Sequence, residues 1–200
     1  MTTSNSWLLC DYGEVLCLPP PATDVAALVD LSGLSSGSFD EIYWRRRVEY
    51  DRGDITASEF WASALGGPVP SDHLAALVDV DIRGWVHPSP AALEAAERAS
   101  SRGMRLALLS NAPHEVADVV DGLAWLAPFS PRLFSARLGA TKPDPSIYRQ
   151  ALYALGAAAR DVWFIDDREA NVAAASALGI NAIHYRGDPA VIDAIPPPGT

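Results

Sequence analysis

Apolar residues in this chain come in short continuous runs that end abruptly on polar ones. The runs WLLC at 7–10, LALL at 106–109 and VWFI at 162–165 stop at Asp11, at Ser110 and at the pair Asp166–Asp167. INAIHY at 180–185 forms a further run. Between these runs the apolar spacing becomes helical. Ser89 and Pro90 make a helix start, Leu93, Ala96 and Ala99 lie near one face, and Gly103 ends the helix before the strand MRLALL at 104–109. Asp144 and Pro145 repeat the start signal, Ile147, Ala151, Ala154 and Leu155 give the apolar face, and Gly156 the stop before VWFI. A helix across 168–178 ends at Gly179 ahead of the last strand. Strands alternating with helices predict an α/β fold with a doubly wound parallel sheet and right-handed crossovers. In such sheets ligands bind beyond the carboxyl ends of the strands, which is where the runs end in polar residues.

Residues 18–85 break the rhythm. TDVAALVDL at 23–31, SFDEIYWRRRVEYDRG at 38–53, TASEFWASAL at 56–65 and SDHLAALVDV at 71–80 all read as helices, several with Ser or Thr at the start. The stretch is too long for an ordinary strand-to-helix connection. It is read as a helical subdomain inserted after the first strand, over the sheet edge, so that the core comprises 1–17 and 86–200. The tail AIPPPGT at 194–200 is expected to fray.

Composition narrows the partners. Twenty-five acidic residues against 15 basic give a net charge of −10, which opposes binding to nucleic acid or an anionic membrane. Small molecules or proteins are the expected partners instead; the sequence carries no signal for an oligomeric state. MTTSNS before WLLC lacks the basic start and apolar length of a signal peptide, and no segment approaches the roughly 18 apolar residues of a membrane span. The expectation is a soluble, cytoplasmic protein. Cys10 and Cys17 read as reduced core residues. His73, His87, His114 and His184 show no metal-ligand spacing; His114 reads as a helix-start residue near the strand end at Ser110.

Together the strand ends offer a nucleophile in Asp11, an oxyanion donor in Ser110, a fixed cation in Lys142 from GATKPDP, and a carboxylate pair in Asp166 and Asp167. Asp11 after an apolar strand, Ser110-Asn111 after the second, Lys142-Pro143 before a helix and Asp166-Asp167 after a further strand resemble, in order, the four motifs of the haloacid dehalogenase (HAD) superfamily. The match spans about residues 7–185, with 18–85 similar to its helical C1 cap. The resemblance implies a Mg²⁺-dependent phosphoric monoester hydrolase acting on a small phosphorylated metabolite, such as a sugar phosphate, through an aspartyl-phosphate. Asp11 would be the nucleophile, Lys142 would neutralise the phosphoryl group, and the Ser110 hydroxyl would bind an equatorial oxygen. The metal would be held by Asp11, the backbone carbonyl of Gly13 and Asp167 directly, with Asp166 acting through water. Asn111, Arg45 and Arg47 are the candidates for substrate binding, the arginines with Tyr43 and Trp44 as an aromatic wall. Consecutive arginines on one helix nevertheless face different directions.

One position departs from the family pattern. Phosphatases of this family carry an Asp two residues after the nucleophile, acting as general acid and then base, and here that residue is Gly13. The carbonyl survives but the proton donor does not, a loss worth about 10²–10⁴ in rate for a poor leaving group. Members with Gly here, notably bacterial glucose-1-phosphate phosphatases, imply that activity persists. Glu14 is the neighbouring carboxylate. The alternatives are a catalytically impaired HAD-fold binding protein and a haloacid dehalogenase attacking carbon; the latter chemistry would leave the Asp166–Asp167 pair without a purpose.

Overall fold

The computed structural model describes residues 6–197. In chain order the elements are β1 (Trp7–Cys10), α1 (Ala22–Ser32), α2 (Ser36–Arg45), α3 (Arg47–Arg52), α4 (Ala57–Leu65), α5 (Ser71–Gly84), α6 (Pro90–Ser101), β2 (Arg105–Ser110), α7 (His114–Asp121), β3 (Arg132–Phe134), α8 (Ser135–Leu138), α9 (Pro145–Leu155), β4 (Val162–Asp166), α10 (Glu169–Ala177), β5 (Asn181–His184) and α11 (Ala190–Asp193). The strands form one sheet in the order β3-β2-β1-β4-β5 with every pairing parallel.

The continuous apolar runs exist because this sheet is covered on both faces. Leu8 and Cys10 of β1 join a cluster containing Ala92, Ala95, Ala96 and Ala99 of α6 and Val116 of α7. Trp7 and Leu9 point the other way, into a cluster with Ile147 and Ala151 of α9 and Ala175 of α10. The alanine face of α6 allows that helix to approach the strands closely. Cys10 pairs with Leu108 on one side and Ile165 on the other, so Asp11, Ser110 and Asp166 leave the sheet at a common edge.

Residues 22–84 are helical and have a separate aromatic core of Phe39, Tyr43, Tyr50, Phe60 and Trp61 with Leu28, Leu77 and Val80. Thr56 caps α4 in a reciprocal box, its hydroxyl accepting from Glu59 N at 3.2 Å while Glu59 Oε2 accepts from Thr56 N at 2.8 Å. Gly53 ends α3 at φ 80° and presses against the sheet-bearing part of the chain: a Cβ there would stand 3.0 Å from the Ala136 carbonyl. Glycine is required on both counts.

Three expectations need correction. The segment 38–53 is not one helix, because Arg46 leaves helical geometry (φ −121°, ψ 13°) and separates α2 from α3. The edge strand β3 was not legible, being three residues long behind Pro131. The tail does not leave the core at once: α11 docks on α6 through Arg98, which donates to both Asp193 oxygens at 2.9 and 2.8 Å, and Ile195, the second tail residue, is buried. Residues 1–5 of the MTTSNS segment and 198–200 of the tail lie outside the described residues. Among the described residues, no helix is long and apolar enough to cross a membrane.

Candidate active site

Asp11 extends the β1 ladder by one residue, its N–H donating to Ile165 O at 2.8 Å, and its carboxylate stands at the sheet edge. Oδ1 accepts from its neighbour's N–H (Tyr12) at 2.6 Å and from Lys142 Nζ at 2.5 Å. Lys142 also donates to Asp166 Oδ2 at 2.8 Å and to Leu109 O at 3.0 Å, so all three ammonium protons are bound. Asp166 is fully buried, and its other oxygen accepts from Arg168 N at 2.8 Å and Asn171 Nδ2 at 2.9 Å. Asn171 lies one turn into α10, five residues beyond Asp166, a relation that the sequence analysis did not single out.

The loop carrying Lys142 is pinned from β2. Asn111 donates from Nδ2 to Lys142 O and accepts from Lys142 N at Oδ1, both at 2.9 Å. The Asn111 amide thereby holds the backbone of Lys142, while the residue also lines the cavity. Ser110 is buried and lines the cavity that opens in front of Asp11.

Charge is unbalanced here. Oxygens of Asp11, Asp166 and Asp167 lie within 4.8 Å of one another, with Lys142 the only buried cation among them. Burial would lower the Lys142 pKa, but Asp11 and Asp166 outweigh it and hold the amine above its ordinary value. Burial pushes Asp11 well above the carboxylate range; Lys142 opposes, and Asp166 and Asp167 add to the rise. Asp167 is raised for the same reasons, burial first and then Asp166. Three carboxylates against one ammonium leave a surplus of negative charge, and the donors are all hard oxygens, a set that fits Mg²⁺.

The cavity, about 600 Å³, lies between this edge and the helical segment, which contributes Trp44, Arg47, Val48, Asp51 and Trp85. Trp44 stands 5.9 Å from the guanidinium of Arg168 across the opening. The three arginines go three ways. Arg45 is exposed and paired with Glu41 at 3.0 Å, so the structure does not bring it into the cavity lining where substrate binding was expected of it. Arg46 pairs with Glu49. Arg47 is buried, its Nε donating to Asp51 Oδ1 at 2.7 Å and its Nη1 to Asp81 Oδ2 at 3.2 Å, with Tyr43 OH completing the group.

Gly13 adopts no left-handed backbone, so conformational freedom is not what selects it. Space is: a Cβ there would stand 3.2 Å from Cζ3 of Trp85. Tyr12 fixes that tryptophan, its hydroxyl donating to Trp85 O at 2.6 Å. The indole stands against the position from which a carboxylate would project. Glu14 follows at φ 59°, an uncommon conformation for a residue with a side chain, and is exposed at the cavity mouth.

A parallel sheet with a carboxylate, a buried lysine and an acidic pair at one edge, beneath an inserted helical segment, defines a class of hydrolase, and the comparisons with known proteins agree. The model of the haloacid dehalogenase-like hydrolase family matches residues 29–179, and the chain belongs to that family. Haloacid dehalogenase-like hydrolase domain-containing protein 3 of Bos taurus is 32% identical over 105 residues. That alignment covers 48% of this chain and 40% of the relative, so the chain spans less than half of that relative's length. A HAD family enzyme of Bacteroides thetaiotaomicron, solved with magnesium and inorganic phosphate, is similar over 92% of this chain and 96% of its own, with a TM-score of 0.74 at 20% identity. The L-2-haloacid dehalogenase RSc1362 is similar over 90% of this chain and 86% of its own, with a TM-score of 0.67 at 18% identity. At these identities the structural likenesses establish the fold alone.

Proposed function

We propose that the protein is a metal-dependent phosphatase acting on a small phosphorylated substrate, with residues 18–85 as a cap over the active site. The observation that carries this reading is the surplus of carboxylate around Asp11: Asp166 and Asp167 beside a buried nucleophile hinder its ionisation unless a cation joins them. Asp11, Asp167 and the Gly13 carbonyl would hold Mg²⁺. When bound, the ion supplies charge neutralisation for a phosphate dianion and for the nucleophile. Asp166, with both oxygens already engaged by Lys142, Arg168 N and Asn171, serves to aim the lysine and reaches the ion only indirectly.

In this reading Asp11 attacks phosphorus and takes up the phosphoryl group, Lys142 holds the attacking oxygen by its bond to Oδ1, and the Ser110 hydroxyl donates to an equatorial phosphoryl oxygen. Asn111 acts by holding Lys142 in place, and Arg47 forms part of the cavity wall with Asp51. The cap excludes water and selects the leaving group. The test is a screen of phosphate monoesters with Mg²⁺ and with EDTA, using Asp11→Asn as the blank. Mg²⁺-dependent turnover absent from the variant supports the reading. Tight Mg²⁺ or phosphate binding without turnover would instead make this a binding protein that has lost its acid, and metal-independent turnover of a 2-haloacid would make it a dehalogenase.

A further inference from the structure

A second cavity, of about 170 Å³, lies within the helical segment, directly beside the first. Leu28 of α1, Phe39 and Tyr43 of α2 and Val80 of α5 line it. Trp44, Trp85 and Glu14 border both cavities, so the two adjoin at these residues. Its lining contains no basic residue, and two of its four carboxylates are engaged: Asp81 accepts from Tyr43 OH at 2.7 Å and from Arg47, and Asp24 is 2.9 Å from His87 Nε2. Glu14 and Asp40 disfavour an anionic occupant, and the walls of Val25, Leu28, Phe39 and Val80 suit an apolar one. An apolar cavity of about 150 Å³ is enough to hold a benzene ring.

An independent feature concerns the same substrate fragment. The position two residues after Asp11, from which an acid would protonate the departing oxygen, is Gly13, and the Trp85 indole stands against it. Without a proton donor, hydrolysis favours leaving groups that depart as stable anions. A phenol is such a group, and it is also planar, apolar and of the size of the second cavity.

Building on the phosphatase reading above, we propose that the 170 Å³ cavity is the leaving-group subsite and that the substrate class is an aryl phosphate monoester. The aryl ring passes between Trp44 and Trp85 while the phosphate lies at Asp11 and Lys142. The Asp11 carboxylate forms a bond to phosphorus, the bond from phosphorus to the aryl oxygen breaks, and its electron pair leaves on the phenolate, which takes a proton from solvent. Water then cleaves the aspartyl-phosphate, returning Asp11 and releasing inorganic phosphate, so that ester and water give phenol and phosphate.

The experiment compares phenyl phosphate, n-propyl phosphate and acetyl phosphate with Mg²⁺ in the wild type and in two cavity-filling variants. Val80→Phe fills the cavity from its wall, and Val25→Phe from its partly exposed rim, where folding is least at risk. The wild type should favour phenyl over n-propyl phosphate by about 10² or more in kcat/KM. The ratio of kcat/KM for phenyl to acetyl phosphate should fall roughly tenfold or more in a folded variant, through KM. An unchanged ratio in both variants, or a wild type preferring n-propyl phosphate, overturns the proposal. If none of the three is hydrolysed, the phosphatase reading fails by itself. The cavity is then judged by titrating phenol against tryptophan fluorescence: binding weakened in the variants supports an aryl subsite, and absence of binding in the wild type overturns it.

Discussion

Two buried clusters, each a cation between two carboxylates, sit on opposite walls of the catalytic cavity. In the sheet, Lys142 bonds Asp11 and Asp166; in the helical segment, Arg47 bonds Asp51 and Asp81. The Arg47 cluster is closed, with Tyr43 OH donating to Asp81 and the guanidinium 5.0 and 5.6 Å from the Tyr43 and Tyr50 ring centroids. Both clusters border the cavity, through Arg47 and Asp51 on one wall and Asp11 on the other, but the Lys142 cluster is open in charge, because Asp167 adds a third carboxylate. A closed cluster of this kind fixes how the helices pack; an open one retains capacity for a further cation and a substrate. The same residue types thus give scaffolding in one place and, on the function proposed above, a reactive centre in the other.

The contrast can be broken most severely at Asp11. Asp11→Asn should lower kcat by about 10³ or more without unfolding, as read by steady-state kinetics beside circular dichroism. Retained turnover would remove Asp11 from the chemistry. Next come the cations. Lys142→Met and Arg47→Met each strand buried carboxylates and should cost about 3–5 kcal/mol in urea unfolding. Only Lys142→Met should also remove turnover of acetyl phosphate; equal kinetic loss in the Arg47 variant would mean that both clusters belong to the reaction.

Metal addition separates the clusters further. At a hundredfold excess over Kd, Mg²⁺ should stabilise the wild type by about 2.7 kcal/mol, measured as a rise in Tm. Asp167→Asn should lose most of that rise, and Asp81→Asn should keep it. Gly13→Asp has a smaller expected effect, raising kcat/KM for an alkyl phosphate relative to an aryl one by no more than about tenfold, because the Trp85 ring must first give way. Pairing it with Trp85→Leu should enlarge the change. The smallest effect belongs to Asp121, whose carboxyl is held below its ordinary value by hydrogen bonds from Arg137 and Arg132. Because its folded pKa is depressed, the stabilisation is present above the ordinary value and is lost as pH falls through the folded one. Asp121→Asn should therefore lower Tm slightly at neutral pH and flatten its decline below about pH 4.

The open cluster was largely legible in the sequence and the closed one was not. Asp11, Ser110 and Asp166 each end an apolar run, so strand geometry announces them, and Lys142 precedes a helix marked by Asp144 and Pro145. Arg47 was expected at the substrate and does line the cavity, but its pairing with Asp81, 34 residues away, was not legible, and the turn at Arg46 is invisible to helical periodicity. Asn111 was read as substrate-binding from its place beside Ser110 and does line the cavity, but its bond to the backbone of Lys142, 31 residues on, was not legible. Gly13 was legible as a missing acid, though not as a residue abutting Trp85, because nothing local relates them.

The helical segment leaves and rejoins the rest of the chain through one narrow doorway. Leu18 N donates to His87 O at 2.7 Å and Ser89 N to Leu16 O at 2.8 Å, while Cys17 bridges to Pro88. With its two ends already side by side, the segment behaves like a cassette. It can be lengthened, shortened or exchanged for another pair-ended segment without re-threading the sheet, so its sequence is free to diverge while the strand ends beneath keep their places.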